Sequence, residues 1–293
     1  MAHPRELLRS HGLAASRRRG QSFLTQPATA AAIAAGAGIQ PTDTVVEIGA
    51  GLGALTLALA PLARRVIAVE VDRGVFAALQ EVLAGAGVDN VEPRHADALR
   101  LDWTDLARQA GGPLVVVGNL PYALTSPLLF SLIAARDHWR RATLLLQREV
   151  AERLKAAPGG KTYGRLSVVV QTWCQVALGM VVGPKVFFPR PAVSSRVVHL
   201  TPRARPLVPL AGPEEAAWFT RVVKAAFSRR RKTLANSLAG GLGLERAEVA
   251  RALRAAGLDP ACRAETLSVP ELGQVARALE PLRPLLEQGP TKP

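Results

Sequence analysis

The sequence predicts an α/β fold in two parts: a parallel, doubly wound sheet, followed by a smaller all-helical C-terminal domain. Strand-like and helix-like segments alternate from about residue 27 to residue 200, and such alternation is typical of a parallel sheet with crossover helices. Three prolines, Pro202, Pro206 and Pro209, then interrupt the pattern, and the periodic segments beyond them are helical. We therefore expect two domains, residues 1–205 and 206–293, with the boundary near 202–212.

The strands of the predicted sheet are short apolar runs. They comprise residues 44–48, 65–70, 90–94, 114–118, 142–147 and a closing strand over 197–200. The segments between them predict helices over residues 27–38, 54–60, 74–85 and 126–135. Residues 164–182 are compatible with either structure, and we expect a helix to about residue 174 and then a strand.

The C-terminal domain begins with one long predicted helix. Apolar residues recur close to every 3.6 positions between residues 214 and 239. Gly240-Gly241 is expected to end that helix. The tetrapeptide Ser268-Val269-Pro270-Glu271 has the spacing of a capping box, which predicts the start of a final helix.

The composition is that of a basic globular protein. Of the 293 residues, 48% are hydrophobic, which is enough for a sizeable core, and no apolar run reaches the about 18 residues that span a membrane. The formal net charge of +14 predicts attraction to a polyanion or an anionic surface, although a bias towards Ala, Arg and Gly codons would also contribute. Cys174 and Cys262, the only cysteines, lie far apart. They indicate a reducing compartment, so we expect a cytoplasmic protein.

A glycine-rich loop, Glu47-Ile48-Gly49-Ala50-Gly51-Leu52-Gly53, lies where the first predicted strand ends. Glycines allow a tight turn and a close approach of the backbone to a ligand. Glu70 lies nineteen residues beyond Gly51, at the end of the second strand, where a carboxylate can accept hydrogen bonds from ribose hydroxyls. Asp97 follows the third strand and could read an adenine amine. These residues predict a nucleoside cofactor at the carboxyl edge of the sheet.

Two cofactors compete for this loop. The spacing Gly49-x-Gly51-x-x-Ala54 satisfies the loose dinucleotide fingerprint, so the loop alone does not separate a nicotinamide cofactor from S-adenosylmethionine. A dehydrogenase needs an acid or a base for hydride transfer, and no candidate residue is evident. This favours S-adenosylmethionine, with a purely structural role of the glycines as the remaining alternative.

Asn119-Leu120-Pro121-Tyr122 follows the fourth predicted strand. An aromatic amine is a poor nucleophile because its lone pair is delocalised into the ring, and a catalyst can correct this by holding the amine between two hydrogen-bond acceptors. The tetrapeptide offers the Asn119 carboxamide oxygen and the Leu120 carbonyl as acceptors. Tyr122 offers a stacking face, and Pro121 fixes the loop. An ordinary turn after a strand is the alternative interpretation.

Basic residues are concentrated in the N-terminal arm and around the long predicted helix. The helical cluster spans twelve residues without an acid. A solvated helix face is one interpretation, but an unbalanced cluster repels itself, which favours a surface that follows RNA phosphates. The candidate RNA-binding residues are Arg17, Arg18, Arg19, Arg221, Lys224, Arg229, Arg230, Arg231 and Lys232.

In these segments the chain resembles the ribosomal RNA adenine dimethyltransferases, most closely the bacterial enzymes that act on the small subunit. The resemblance covers nearly the whole chain, and its segments follow one another in the family's order. Besides the glycine loop, they are Gly20-Gln21-Ser22-Phe23-Leu24, Glu70-Val71-Asp72, Asp97-Ala98-Leu99, Asn119-Leu120-Pro121-Tyr122, Tyr163-Gly164-Arg165-Leu166-Ser167, Phe187-Phe188-Pro189-Arg190-Pro191 and the run from Phe227 to Leu234.

The resemblance implies a Rossmann-like S-adenosylmethionine-dependent methyltransferase. It implies N6,N6-dimethylation of two adjacent adenosines in a hairpin loop near the 3′ end of 16S rRNA, within the immature small subunit, and a role in subunit biogenesis. Phe187 resembles a second aromatic face for the target base, and Ser22 replaces the Asn usual in the family. The implied cofactor-binding residues are Ser22, Leu24, Gly49, Gly51, Glu70, Asp97 and Asn119.

Two other functions remain open. One is the related 23S rRNA adenine methylase associated with macrolide resistance, although a helical C-terminal domain of this length is more similar to the small-subunit enzymes. The other is a largely non-catalytic ribosome-assembly or nucleic-acid-binding factor. We expect a monomer. We also expect no metal, because nothing places a ligand set around His95 or His199.

Overall fold

A computed structural model describes residues 2–15, 20–229 and 231–286. The chain divides into two compact units. The first comprises Met1–Ala151 and Gln175–Pro202, and the second comprises Glu152–Cys174 and Arg203–Pro293. The division predicted at residue 205 assigns residues 152–174 to the sheet domain, whereas here they pack with the helices of the second unit.

The helices and strands follow in chain order. They are α1 (Pro4–Ser10), β1 (Phe23–Leu24), α2 (Pro27–Gly36), β2 (Thr44–Ile48), α3 (Ala54–Leu59), β3 (Arg65–Glu70), α4 (Arg73–Ala86), β4 (Val91–His95), α5 (Trp103–Ala110), β5 (Leu114–Asn119), α6 (Thr125–Ala134), β6 (Trp139–Gln147), α7 (Arg148–Leu154), α8 (Arg165–Trp173), β7 (Cys174–Val182), β8 (Phe187–Phe188), β9 (Ser195–Pro202), α9 (Pro213–Ala226), α10 (Leu234–Leu242), α11 (Arg246–Ala255) and α12 (Val269–Leu279).

The main sheet has the strand order β4-β3-β2-β5-β6-β9-β7. Strands β2 to β6 pair in parallel, whereas β9 runs antiparallel to β6. The sheet is therefore mixed at one edge and not fully parallel as predicted. The physical reason lies in the connection from β7, the other neighbour of β9 in the sheet. Residues 183–194 join these two strands and contain no helix longer than a single turn, whereas a parallel pairing needs a crossover helix. The Rossmann-like fold class is confirmed.

Burial explains why the central strands are so apolar. All five residues of β2 are buried, because helices cover both faces of a parallel sheet. Val45 and Val115 pack in one cluster with Ile33 of α2 and with Leu55 and Leu59 of α3. Each fully buried side chain of this size contributes roughly 1.5–3 kcal/mol. This cluster supports the strand ends from which the functional loops leave.

The strand order reverses between β2 and β5, which is the point where doubly wound sheets bind ligands. The glycine loop follows β2, and the Asn119–Tyr122 loop follows β5. At Gly118 a Cβ would lie 2.7 Å from the carbonyl oxygen of Ile48. A side chain at this position would push the two strands apart, so glycine keeps the two loops close together.

The second unit corrects the prediction of one helix over residues 214–239. Two helices, α9 and α10, replace it, because the chain turns at Arg231, where φ is 72°. The prediction that Gly240-Gly241 ends the helix was also wrong. Both glycines lie inside α10, which ends at Leu242 and is capped by Gly243 with φ of 77°. A Cβ on Gly241 would lie 2.7 Å from Ala225, so glycine there allows α10 to pack closely on α9.

Several predicted elements are confirmed and others were missed. The helix and strand expected within residues 164–182 occur as α8 and β7, and Ser268 caps α12 through the Glu271 N–H, as its spacing predicted. Helix α5 was missed, although Asp102 caps it by accepting from the Asp105 N–H. No helix in the described part of the chain is long and apolar enough to cross a membrane.

Candidate active site

A cavity of about 330 Å³ opens at the carboxyl edge of the sheet in the first unit. This volume lies at the lower end of the range of small-molecule sites, roughly 300–1,000 Å³. Its walls come from the ends of β2, β3, β4 and β5 and from the chain segment before β1. The predicted residues among those that line it are Ser22, Gly49, Gly51, Glu70, Asp97, Asn119, Leu120, Pro121 and Tyr122.

The glycine loop forms the floor of the cavity in a conformation that needs glycine. Gly49 and Gly51 have φ values of 73° and 57°, in the left-handed region that side chains disfavour. The N–H groups of Gly49 and Ala50 both donate to the Val69 carbonyl, at 2.9 and 3.0 Å. A Cβ on Gly51 would lie 3.0 Å from the Phe23 ring. The loop is therefore held between β3 and β1.

Glu70 holds the glycine loop against the end of β3. Its Oε2 accepts from the Gly51 N–H at 2.9 Å, and its Oε1 accepts from the Val71 and Asp72 N–H groups, both at 2.9 Å. Burial raises the pKa of the Glu70 carboxyl, and the three N–H donors oppose that rise without cancelling it. Carboxylate oxygens have further acceptor capacity. Glu70 can thus position the loop and accept a ribose hydroxyl together.

Two more carboxylates lie on the same side of the cavity. Asp97 Oδ1 accepts from the Leu99 N–H at 2.9 Å, and Asp72 Oδ1 caps α4 by accepting from Gly74 and Val75. Each carboxylate is oriented by the main chain that follows it. With Glu70 they give this side of the cavity an acidic lining.

Asn119 is oriented by the main chain of the N-terminal segment. Its Nδ2 donates to the carbonyl of Ser22 at 2.8 Å, which leaves the carboxamide oxygen as the acceptor of that side chain. The neighbouring Leu120 is 1% exposed, and its N–H donates to the Leu145 carbonyl of β6 at 3.2 Å. The loop is fixed from both sides, and its acceptor groups are therefore fixed too.

Tyr122 lines the cavity with a ring that is held at its hydroxyl. The hydroxyl forms a hydrogen bond of 2.8 Å with Ser195 Oγ of β9, and burial raises the pKa of Tyr122. A Cβ on Gly20 would lie 3.2 Å from the Tyr122 main-chain nitrogen, so the N-terminal segment passes closely over this loop. Ser195 was missed in the sequence, because no local pattern links residues 73 positions apart.

Three predicted residues have surroundings that the sequence did not suggest. Ser22 lines the cavity, but its hydroxyl donates to the Pro189 carbonyl at 2.7 Å. Leu24 lies beside a small adjoining cavity of about 30 Å³ and not beside the main one. Phe187 is 4% exposed and packs in the core with its strand partner Leu24. Their predicted roles in cofactor binding and in base stacking stay predictions.

A buried acid beside the glycine loop was also missed as a functional candidate. Glu47 is 1% exposed, and its Oε2 has no hydrogen-bond partner among the described residues. Burial raises its pKa to about 8, and the nearby Thr56 hydroxyl opposes that rise, although it forms no hydrogen bond of good geometry. A charged residue inside the apolar run Val45-Val46-Glu47-Ile48 was the available signal.

The second unit carries the basic residues of the helical cluster on its surface. We call the exposed residues Arg221, Lys224, Arg229, Arg231 and Lys232 the basic surface. Arg221 and Lys224 are three positions apart on α9 and therefore share one face. The other candidates, Arg17, Arg18, Arg19 and Arg230, lie outside the described residues.

The cavity suits a cationic nucleoside donor together with a planar second substrate. Three carboxylates line the side next to the glycine loop, and Asn119 and Tyr122 line the other. A sulfonium cation is attracted by such an acidic lining, and the two glycines have no side chain to keep a ligand away from their backbone. Fold and cavity together define a methyltransferase of the Rossmann-like class that uses S-adenosylmethionine.

Comparison with known proteins identifies the family. Residues 13–278 match the family described as ribosomal RNA adenine dimethylase. The chain therefore belongs to this family and is an rRNA adenine dimethyltransferase, which uses S-adenosylmethionine as the methyl donor and ribosomal RNA as the substrate.

Individual relatives agree with the family. The chain is 46% identical over 281 residues to ribosomal RNA small subunit methyltransferase A of Moorella thermoacetica, covering 94% of this chain and 96% of the relative. A solved dimethyladenosine transferase from Plasmodium falciparum superposes with a TM-score of 0.67 at 26% identity, covering 88% of this chain and 98% of that one. The 23S rRNA methyltransferase ErmE gives a TM-score of 0.63 at 26% identity, covering 88% and 99%.

Proposed function

We propose that this enzyme dimethylates N6 of two adjacent adenosines in a hairpin loop near the 3′ end of 16S rRNA. Two relatives that are 46% and 45% identical to this chain are both named ribosomal RNA small subunit methyltransferase A, which supports this target. We further propose that it acts as a cytoplasmic monomer on the immature small subunit and contributes to subunit biogenesis.

The fixed carboxamide of Asn119 is the observation that carries this proposal. Its Nδ2 is engaged by the Ser22 carbonyl at 2.8 Å, so its oxygen can accept one hydrogen of the target amine. The Leu120 carbonyl would accept the other. With both hydrogens held, the amine lone pair is directed away from the ring and towards the methyl group. No strong base is needed before attack, because the amine becomes acidic only as the new N–C bond forms and the methyl–sulfur bond breaks; its proton would then be released to solvent.

The target adenine has to leave its stack to reach Asn119, which costs a few kcal/mol and less in a loop than in a duplex. The Tyr122 ring lines the cavity and offers a stacking surface, and such contacts are worth roughly 1–3 kcal/mol per base. We propose Phe187 as the second face, after a local movement that exposes its ring. Holding the amine in line for attack can supply roughly 7–11 kcal/mol of the acceleration.

When bound, S-adenosylmethionine supplies an electrophilic methyl carbon on its sulfonium. We propose that Glu70 accepts its ribose hydroxyls and that Asp97 accepts its adenine amine. The backbone of the glycine loop, with Ser22, Leu24 and Asn119, would hold the remainder. The acidic lining would favour the cationic donor over its neutral product and so promote release of the product.

The basic surface supplies a second contact with the substrate. Its five exposed cations form no ion pair with any residue in the described ranges, so their charge is available to RNA phosphates. We propose that this surface of the second unit, together with Arg17, Arg18, Arg19 and Arg230, binds the rRNA backbone while the sheet unit performs the methylation.

The test is direct. The enzyme is incubated with labelled S-adenosylmethionine and unmethylated small ribosomal subunits, and the label is located by digestion of the rRNA and mass spectrometry. We expect dimethyladenosine at two adjacent positions of one hairpin loop. Label at scattered positions, at only one position, or at none would reject the proposal.

The similarity to ErmE keeps a 23S rRNA target as the second candidate. The same incubation with unmethylated large subunits distinguishes the two. We expect the small subunit to be labelled at least ten times faster, and the reverse preference would assign the enzyme to the large subunit.

A further inference from the structure

The turn between α9 and α10 holds one arginine in a defined position. Arg229 follows the end of α9, and its guanidinium lies directly over Gly240 of α10. A Cβ added to Gly240 would lie 3.0 Å from Arg229 Cζ and 3.1 Å from its Nη2. The guanidinium therefore occupies space that a side chain at position 240 would take.

The main chain around Arg229 is fixed as well. Ser237 Oγ of α10 donates to the Arg229 carbonyl at 3.4 Å, and the Lys232 N–H donates to the same carbonyl at 3.4 Å. Ser228 Oγ donates to the Ala225 carbonyl of α9 at 2.7 Å. Both ends of Arg229, its carbonyl and its guanidinium, are thus positioned by α10.

The charge of Arg229 is not neutralised within the part of the chain that the structure describes. Its side chain is exposed, and it forms no ion pair with any residue of the described ranges. A guanidinium that lies flat on a helix backbone keeps its edge, where the N–H donors are, open to solvent. Such an edge matches the geometry of two phosphate oxygens.

We infer that Gly240 is a positioning residue for RNA binding. Because glycine has no side chain, the Arg229 guanidinium can pack against position 240, with its donor edge towards one phosphate of the RNA backbone. This inference rests on the proposed RNA-binding role of the basic surface. A side chain that is already packed in one position loses less conformational freedom on binding than a mobile one. This pre-organisation raises the affinity for RNA without adding charge. It also distinguishes Arg229 from the other members of the basic surface, which would contribute mainly through charge.

A double-mutant cycle tests this coupling. The variants are Gly240→Ala, Arg229→Gln and their combination, and the dissociation constant for an rRNA hairpin is measured over a range of salt concentrations. We expect Gly240→Ala to weaken binding about 3- to 10-fold. Arg229→Gln should weaken it at least as much and reduce the slope of log affinity against log salt by about 0.7–0.9. In the Arg229→Gln background, Gly240→Ala should have no further effect.

The matched control is Gly85→Ala, a helical glycine of α4 around which a Cβ would meet nothing within 4 Å. It should leave RNA affinity unchanged, and thermal melting of each variant verifies folding. Equal losses from Gly240→Ala with and without Arg229 would overturn the inference, because the glycine would then act independently of the arginine. An unaltered affinity of Arg229→Gln would also overturn it.

One more variant keeps the test decisive if Gly240→Ala does not fold. Arg229→Lys retains the charge but has no planar edge to seat, so its affinity should fall several-fold, and parental affinity would contradict the inference. Failure of the proposed function has a different signature: the parent enzyme itself would methylate no rRNA, or its RNA binding would be independent of salt.

Discussion

The cavity of the sheet unit and the basic surface of the helical unit are constructed in opposite ways. In the cavity, Glu70 and Asn119 are held by main-chain partners at 2.8–2.9 Å. The basic surface consists of exposed side chains, and among them the Arg229 guanidinium packs against Gly240. Chemistry that depends on position should therefore be sensitive to single substitutions. RNA affinity that depends on summed charge should fall by a small amount with each substitution.

The largest expected effect is on Asn119 itself. Asn119→Ala removes a fixed acceptor of the target amine, and loss of one such oriented group typically lowers turnover about 100- to 1,000-fold. Single-turnover methylation of unmethylated subunits measures the rate. Titration calorimetry with S-adenosylmethionine should show a much smaller loss of donor affinity, because Asn119 is one of several groups proposed to hold the donor, and Glu70 and the glycine loop remain.

Asn119→Asp is the matched control for this prediction. It retains an acceptor oxygen but loses the N–H that binds the Ser22 carbonyl. The variant therefore separates the role of the oxygen as acceptor of the target amine from the role of the N–H in orienting the side chain. A methylation rate of Asn119→Ala equal to that of the parent would refute the proposed mechanism and remove the contrast between the two units.

The second effect concerns stability, and it comes from Glu47. Burial raises the pKa of this carboxyl from its ordinary 4.5 to about 8, so the folded state retains a proton that the unfolded chain releases above about pH 4.5. The stabilisation is complete below that pH and is lost as pH rises through about 8. We expect the free energy of unfolding to fall across this window by an amount on the order of a few kcal/mol.

Urea unfolding of the parent and of Glu47→Gln at several pH values checks this prediction. Glutamine does not titrate, so the variant should lose less stability between pH 5 and pH 8. The difference between the two curves reports Glu47 together with its interaction with Glu70, whose charge also raises the pKa of Glu47. Parallel curves would show that Glu47 is ionised in the folded protein at neutral pH.

The same contrast decides what could be predicted from the sequence. The sheet follows from local rules, since apolar runs, glycines and strand–helix alternation predicted β2, β3, β5 and the loops after them. The packing of the helical unit does not, because the break between α9 and α10 depends on a positive φ at Arg231 and on the close approach of Gly241 to Ala225. Such contacts arise only once the two helices meet.

The site divides in the same way. Motif spacing brought Gly49, Glu70 and Asn119 to one edge of the sheet correctly. The hydrogen bond between Tyr122 and Ser195 joins residues 73 positions apart, and no periodicity reports it. The burial of Phe187 depends on its pairing with Leu24, which is likewise a tertiary contact.

A smaller effect is expected on the basic surface. Arg221→Gln with Lys224→Gln removes two exposed charges from one face of α9. Each lost phosphate contact should reduce the salt slope of RNA affinity by about 0.7–0.9, while single-turnover methylation at saturating RNA stays within about twofold of the parent, since neither residue belongs to the cavity. Fluorescence anisotropy measures the slope, and a fall in the saturated rate like that of Asn119→Ala would contradict the division between the units.

The smallest effect separates the ring of Tyr122 from its hydroxyl. Tyr122→Phe keeps the stacking face but deprives the buried Ser195 hydroxyl of its partner at 2.8 Å. We expect a loss of about 1 kcal/mol in unfolding free energy and a methylation rate within about threefold of the parent. Tyr122→Ala, which also removes the ring, should lower kcat/KM at least about tenfold, because a stacking contact is worth roughly 1–3 kcal/mol. If both variants were equally slow, the hydrogen bond from the hydroxyl to Ser195 of β9 would matter more than the aromatic face. The contribution of Tyr122 to methylation would then come from positioning the loop and not from stacking.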